Sequence, residues 1–128
     1  DMAGVAVVKN AYRLYKERGY RTKLLVAAFR NQHHWEEFIG GDIVLTITSD
    51  WQRKYNGSDV VIQNNIDTPV ADELINELMK LDEFKKAYFE DGLKPEAFEH
   101  YGAFLATMNQ FLGGYDDLVK LIRGYMIK

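Results

Sequence analysis

The side chain best suited to chemistry is Arg30, set directly after the apolar run Leu24–Phe29 and directly before Asn31. A guanidinium offers a planar fork of donors that matches the oxygens of a phosphate or carboxylate, and it keeps its charge at any working pH. Two uses stand open: holding an anionic ligand, or pairing at the surface with Asp or Glu. Asn31 either positions Arg30 or caps the helix that follows, a role its amide suits well. His33 and His34 are adjacent, so on a helix they diverge by about 100° and do not readily share a metal. His100 is far off in sequence, and no metal site is expected. The chain has no cysteine, which excludes thiol catalysis, disulfides and thiolate metal sites. It carries no glycine-rich phosphate loop and no Ser-His-Asp set, and no cofactor is expected. Asp42 reads as structural, and Glu90 and Asp91 as a solvated acidic patch.

The elements that must position Arg30 follow from the hydrophobic pattern. Val5 to Arg18 reads as an amphipathic helix, with Val5, Val8, Tyr12 and Tyr15 on one stripe and Lys9, Arg13, Lys16 and Glu17 toward water. Gly19 ends it, as glycine does by accepting a left-handed backbone. Leu24–Phe29 is apolar at every position and suits a buried parallel strand. Asn31 to Ile39 makes a short helix stopped by Gly40-Gly41, and Ile43–Ile47 is a second buried strand. A short helix is expected around Asp50 to Lys54, then a turn at Asn56-Gly57-Ser58 and a loop with a Val60-Val61-Ile62 patch. Thr68-Pro69 reads as a helix start, hydroxyl as cap and proline at the first position. Lys94-Pro95-Glu96 starts another helix, running to about Leu112. Gly113-Gly114 breaks it, and Tyr115 to Met126 closes the chain. Phe98, Tyr101, Phe104, Phe111, Tyr115 and Tyr125 are spaced as core packing rather than as a cofactor box.

Helix, strand, helix, strand with short connections is the α/β alternation of a parallel sheet. Two parallel strands leave outer edges of unpaired backbone groups, so the chain reads as a section of something with more strands. The 128 residues are 47% hydrophobic, enough for one packed domain and too few for two. The net charge of −3 and scattered Lys and Arg give no support for nucleic-acid binding. No apolar run reaches the roughly 18 residues of a membrane span. The opening Asp1-Met2-Ala3-Gly4 has neither the basic nor the long apolar region of a secretory signal, so a cytoplasmic location is expected. Because Asp1 precedes Met2, the sequence is also expected to begin inside a longer gene product.

The segment Leu24-Leu25-Val26-Ala27-Ala28-Phe29-Arg30-Asn31 resembles the seventh barrel strand of transaldolases, where the family pattern reads approximately Gly-Ala-Ser-Phe-Arg-Asn. Gly19-Tyr20-Arg21-Thr22 resembles the turn before that strand. Gly41-Asp42-Ile43-Val44-Leu45-Thr46-Ile47 resembles the eighth strand, usually Gly-Cys-Asp-Arg-Leu-Thr-Ile. The C-terminal helices, with an acidic and aromatic stretch before Pro95-Glu96-Ala97, resemble those that close the barrel. Ala28 stands where the family usually has a serine lining the site, Ser49 where a proline usually follows the eighth strand, and Phe89 where a tryptophan is expected.

The resemblance implies an α/β fold: the C-terminal part of a (β/α)8 barrel, with two parallel strands and a mostly helical remainder, forming a single partial domain over 1–128. It further implies a Schiff-base enzyme of the pentose phosphate pathway that passes a dihydroxyacetone unit between sugar phosphates. Arg30 would then hold the substrate phosphate, with Ala28 and Asn31 beside it, since active sites of such barrels lie at the C-terminal ends of the strands. The family's lysine and acid/base carboxylates come from earlier strands. Lys23 lies at the N-terminal end of its strand, so this chain by itself is expected to be catalytically silent. Its expected partners are a sugar-phosphate substrate and either further copies of itself or the rest of the barrel. The alternatives are a half-barrel that binds without chemistry, an unrelated α-rich interaction module, and a fragment of a fructose-6-phosphate aldolase-like lyase.

Overall fold

The computed structural model describes residues 2–126. They divide into two compact units, Asp1–Glu90 and Asp91–Lys128. In the first, α1 (Met2–Arg18) precedes β1 (Leu25–Val26), α2 (His33–Glu36), β2 (Val44–Leu45), α3 (Ser49–Asn56), α4 (Asp72–Leu78) and α5 (Asp82–Tyr88). The two strands pair in parallel, Leu25 opposite Val44 and Val26 opposite Leu45. The expected parallel neighbours are therefore present, with far shorter regular pairing than the apolar runs predict.

The core of this unit is Val5, Phe38 and Ile66, with Val8, Tyr12, Val26, Ile43 and Leu45 packed against it. The α1 stripe read from the sequence is the face that packs. Along the strands only alternate residues turn inward. Leu25 and Val44, partners in register, stay 63% and 47% exposed. The expectation of strands buried on both faces is thus met on one face, because among the described residues only the α1 side is covered. Gly19 ends α1 at φ +62° as expected.

Lys9 overturns its assignment to the solvent face: it is only 7% exposed. Its ammonium donates to Glu37 Oε2 at 2.5 Å and to the carbonyls of Asn65 and Thr68 at 2.8 Å each. Thr68-Pro69 does not open α4: the carbonyl of Ala71 accepts the first helical bonds, from the N–H groups of Leu74 and Ile75, and α4 begins at Asp72.

Gly40 has φ +90°, and a Cβ there would stand 2.8 Å from Asn64 Cγ and 3.1 Å from its Cα. The neighbouring carbonyl of Ile39 accepts from the N–H groups of Asn65 and Ile66, so the 64–66 backbone has little room to yield. Gly40→Ala is expected to destabilise the chain by roughly 1–3 kcal/mol. Urea unfolding measures this, and an unchanged midpoint would mean that the 64–66 loop is free to move.

The second unit contains a 3-10 turn, Pro95–His100, and α6, Gly102–Met126. Lys94-Pro95 does start a helical segment, but Tyr101 is extended and interrupts it. The break expected at Gly113-Gly114 is absent, and α6 runs through both glycines. Each glycine costs about 1 kcal/mol in a helix, which the good helix formers on either side absorb. The expected aromatic core is also corrected: Phe98, Phe104, Phe111, Tyr115 and Tyr125 are all exposed, and α6 buries none of its described residues.

Candidate functional site

At the C-terminal end of β1 the chain passes through Ala28 at φ +63°. This left-handed backbone costs a non-glycine residue about 1–3 kcal/mol. Around this turn Phe29 is buried, 3% exposed, while Arg30 is exposed. The Arg30 guanidinium donates from Nη1 to the Phe29 carbonyl at 3.0 Å. Among the described residues no carboxylate stands within ion-pair distance of it. Surface pairing with an acidic side chain, one of the two uses open from sequence, is not what this geometry provides.

Asn31 acts as a cap: its Oδ1 accepts from the His34 N–H at 3.3 Å. The His34 ring completes the turn. Its Nδ1 accepts from the Arg30 main-chain N–H at 3.2 Å, and its Nε2 meets the Asn31 side-chain amide at 3.1 Å. An accepting Nδ1 requires the neutral ring with its proton on Nε2, so the Nε2 contact with the Asn31 amide nitrogen, itself a donor, is one of packing and not a second hydrogen bond. Burial lowers the His34 pKa below the ordinary 6.5, and the nearby Arg30 charge pushes the same way.

A folded pKa below the unfolded one means that the stability contributed by neutral His34 is complete above the ordinary value. It is lost as pH falls through the lowered one. The Arg30 amide resonance is therefore expected to titrate together with the His34 ring, with a midpoint below 6.5, and to stop titrating in His34→Gln. An Arg30 amide that ignores pH in the parent chain would dissolve this link.

Beneath the turn lies an aromatic cluster. Phe29 meets Tyr55 edge-on at 6.3 Å, and Tyr55 packs on Trp35 at 4.1 Å and Trp51 at 5.7 Å. The cluster joins the end of β1 to α2 and α3, the helices that follow the two strands. Burial pushes the Tyr55 phenol up to about 12. Gln52 ties α3 back to β2, its Nε2 donating to the Ile47 carbonyl at 2.8 Å. The sequence reading passed over His34 as a positioning group and this cluster as a support. The spacing of Trp51 and Tyr55, four apart on one helix face, is the signal that could have found the latter.

At the opposite ends of the strands Lys23 pairs with Asp42 at 2.5 Å. That agrees with a structural Asp42 and a Lys23 remote from Arg30. Glu90, expected to be merely solvated, is instead held by both terminal nitrogens of Arg18. His33 lies 3.8 Å from Glu36, and among the described residues no three His, Asp or Glu side chains gather into a metal-binding group. Among the described residues no helix is long and apolar enough to cross a membrane.

The family model described as transaldolase/fructose-6-phosphate aldolase matches residues 1–106. A transaldolase of Gloeobacter violaceus is 31% identical over 98 residues, which are 75% of this chain and 25% of that protein. The chain thus spans about a quarter of the length of this curated relative. No solved structure matches it. With the match extending through the parallel strands and past the Arg30 turn, the chain belongs to the transaldolase/fructose-6-phosphate aldolase family.

Proposed function

We propose that this chain supplies the phosphate-binding corner of a transaldolase-type Schiff-base enzyme, with Arg30 as the anchor and the remaining strands provided by further polypeptide. The observation that carries this reading is an exposed guanidinium at the C-terminal end of a parallel strand, clear of any carboxylate among the described residues. Family membership supports the enzyme class, and barrels of this kind often bind phosphate in the loops after their last two strands. Ala28 lines the approach to Arg30 without a hydroxyl, and so takes no part in proton transfer. Asn31 and His34 hold the turn from which Arg30 projects.

In the proposed reaction a lysine amine condenses with the ketose carbonyl, losing water, and the protonated imine accepts the electron pair when the adjacent C–C bond breaks. The aldose phosphate leaves as the carbon-bound hydroxyl gives up its proton. The three-carbon enamine then adds to a second aldose phosphate. In an aldolase it is protonated and hydrolysed instead. Arg30 would act on the phosphate end throughout, fixing the register of the sugar against the lysine.

Borohydride trapping with a ketose phosphate tests the division of labour. The intact barrel should gain the mass of a reduced adduct, and this 128-residue chain should gain none. An adduct on the chain alone, at Lys23 or elsewhere, would overturn the proposal that the lysine is supplied from outside it.

A further inference from the structure

Two bonds at the Arg30 turn meet on a single peptide group. The N–H of Arg30 donates to His34 Nδ1 at 3.2 Å. The carbonyl at the other end of the same peptide, that of Phe29, accepts from Arg30 Nη1 at 3.0 Å. A peptide group turns as one rigid plane with its N–H and C=O pointing opposite ways. Whatever fixes the N–H therefore also fixes where the carbonyl points, and that carbonyl is the seat of the guanidinium.

The other contacts of the turn leave this plane free to rotate. Ala28 precedes it with a left-handed backbone, φ +63°, which persists only where the surroundings enforce it. Phe29 is held by its ring, buried and edge-on to Tyr55; that anchors the residue but not the peptide after it. The Asn31 cap acts further along, on the N–H of His34. Among the described residues no other group bonds either end of the 29–30 peptide. The bond to the ring also polarises the peptide and makes its carbonyl a better acceptor. The carbonyl contact uses one donor of the guanidinium and leaves the others for a ligand.

We propose, on the phosphate reading of Arg30, that His34 is a positioning residue: it grips the 29–30 peptide and so aims the guanidinium, and the preference for phosphorylated substrates depends on its ring acceptor. Without that acceptor the plane can turn, the carbonyl swings away, and the guanidinium samples directions in which its fork does not meet the phosphate. The sugar end of the substrate never touches this arrangement. The loss therefore falls on phosphate recognition and not on the imine chemistry.

The test is steady-state kinetics of the full-length enzyme that contains this segment, with a ketose phosphate and the same ketose without its phosphate. His34→Ala and His34→Phe should raise KM for the ketose phosphate by about three- to tenfold, the worth of one neutral hydrogen bond. The loss should fall on KM rather than kcat, and kcat/KM for the unphosphorylated ketose should hold. His34→Asn should recover most of the loss, because its Oδ1 can stand where Nδ1 stood. His33→Ala, an exposed neighbour that faces Glu36, should match the parent. In an Arg30→Ala background His34→Ala should add nothing, since a residue that acts only through another is silent once that one is gone. Should His34→Ala fail to fold, the Asn and Phe variants decide by themselves. Three results would overturn the proposal: an equal loss in the Arg30→Ala background, a loss shared by both ketoses, and a Phe variant that performs as the Asn variant does. A phosphate-selective loss in Arg30→Ala beside an unaffected His34→Ala would sink the positioning role alone. Arg30→Ala losses that are equal on both ketoses would remove the phosphate anchor, and the role of His34 with it.

Discussion

Lys9→Met is expected to cost the chain about 3–5 kcal/mol of folding free energy, the penalty for breaking a buried ion pair by removing one partner. The substitution keeps most of the side chain's volume, so the loss isolates the ammonium. Glu37, itself about three-quarters covered, would face apolar sulfur, and the carbonyls of Asn65 and Thr68 would each lose a charge-assisted bond. The damage should concentrate where those groups sit. The 64–68 loop should lose its amide protection, and Ile66, one of the three central core residues, should loosen with it. Urea unfolding reads the total, and hydrogen exchange reads the location. A loss below about 1 kcal/mol, the level of an exposed pair, would show that water replaces the ammonium freely.

In the intact enzyme Arg30→Ala is expected to raise KM for phosphorylated substrates by about one to two orders of magnitude. A charge-assisted hydrogen bond is worth roughly 1.5–3 kcal/mol, and each 1.4 kcal/mol is a factor of ten in binding. Arg30→Lys should recover only part of this, since a point charge does not reproduce the bidentate fork. Unphosphorylated sugars should be almost unaffected. Imine trapping at saturating substrate should persist, because the proposed role of Arg30 is to hold the phosphate and not to form the imine. Equal losses on both substrate classes would show that Arg30 shapes the turn and does not grip the phosphate.

What the sequence made legible and what it hid divide along physical lines. The Arg30 turn was visible because its signals are local: six apolar residues, then a cation, then a capping amide. The parallel pairing followed from helix–strand alternation, and Gly19 announced its positive φ correctly. Lys9 was hidden because helical periodicity assigns a face from near neighbours. Its actual partners are 28, 56 and 59 residues away. His34 was hidden for a similar reason, since an adjacent histidine pair draws attention as a failed metal site and not as a brace for the residue four positions back.

Gly113-Gly114 shows the opposite failure. A strong local break signal lost to the helix on both sides of it, and α6 runs on without a break. The aromatic residues there are spaced as a core should be, yet they stay exposed.

The central claim is that Arg30 is a phosphate anchor. It is tested most directly by a crystal structure of the completed barrel with a ketose phosphate trapped on its lysine by borohydride. The account predicts two phosphate oxygens about 2.7–2.9 Å from the Arg30 guanidinium nitrogens, the spacing of a bidentate charge-assisted pair. Ala28 should keep its left-handed backbone, and His34 should still accept from the Arg30 N–H. A phosphate bound elsewhere, with Arg30 turned to a carboxylate from another strand, would contradict it.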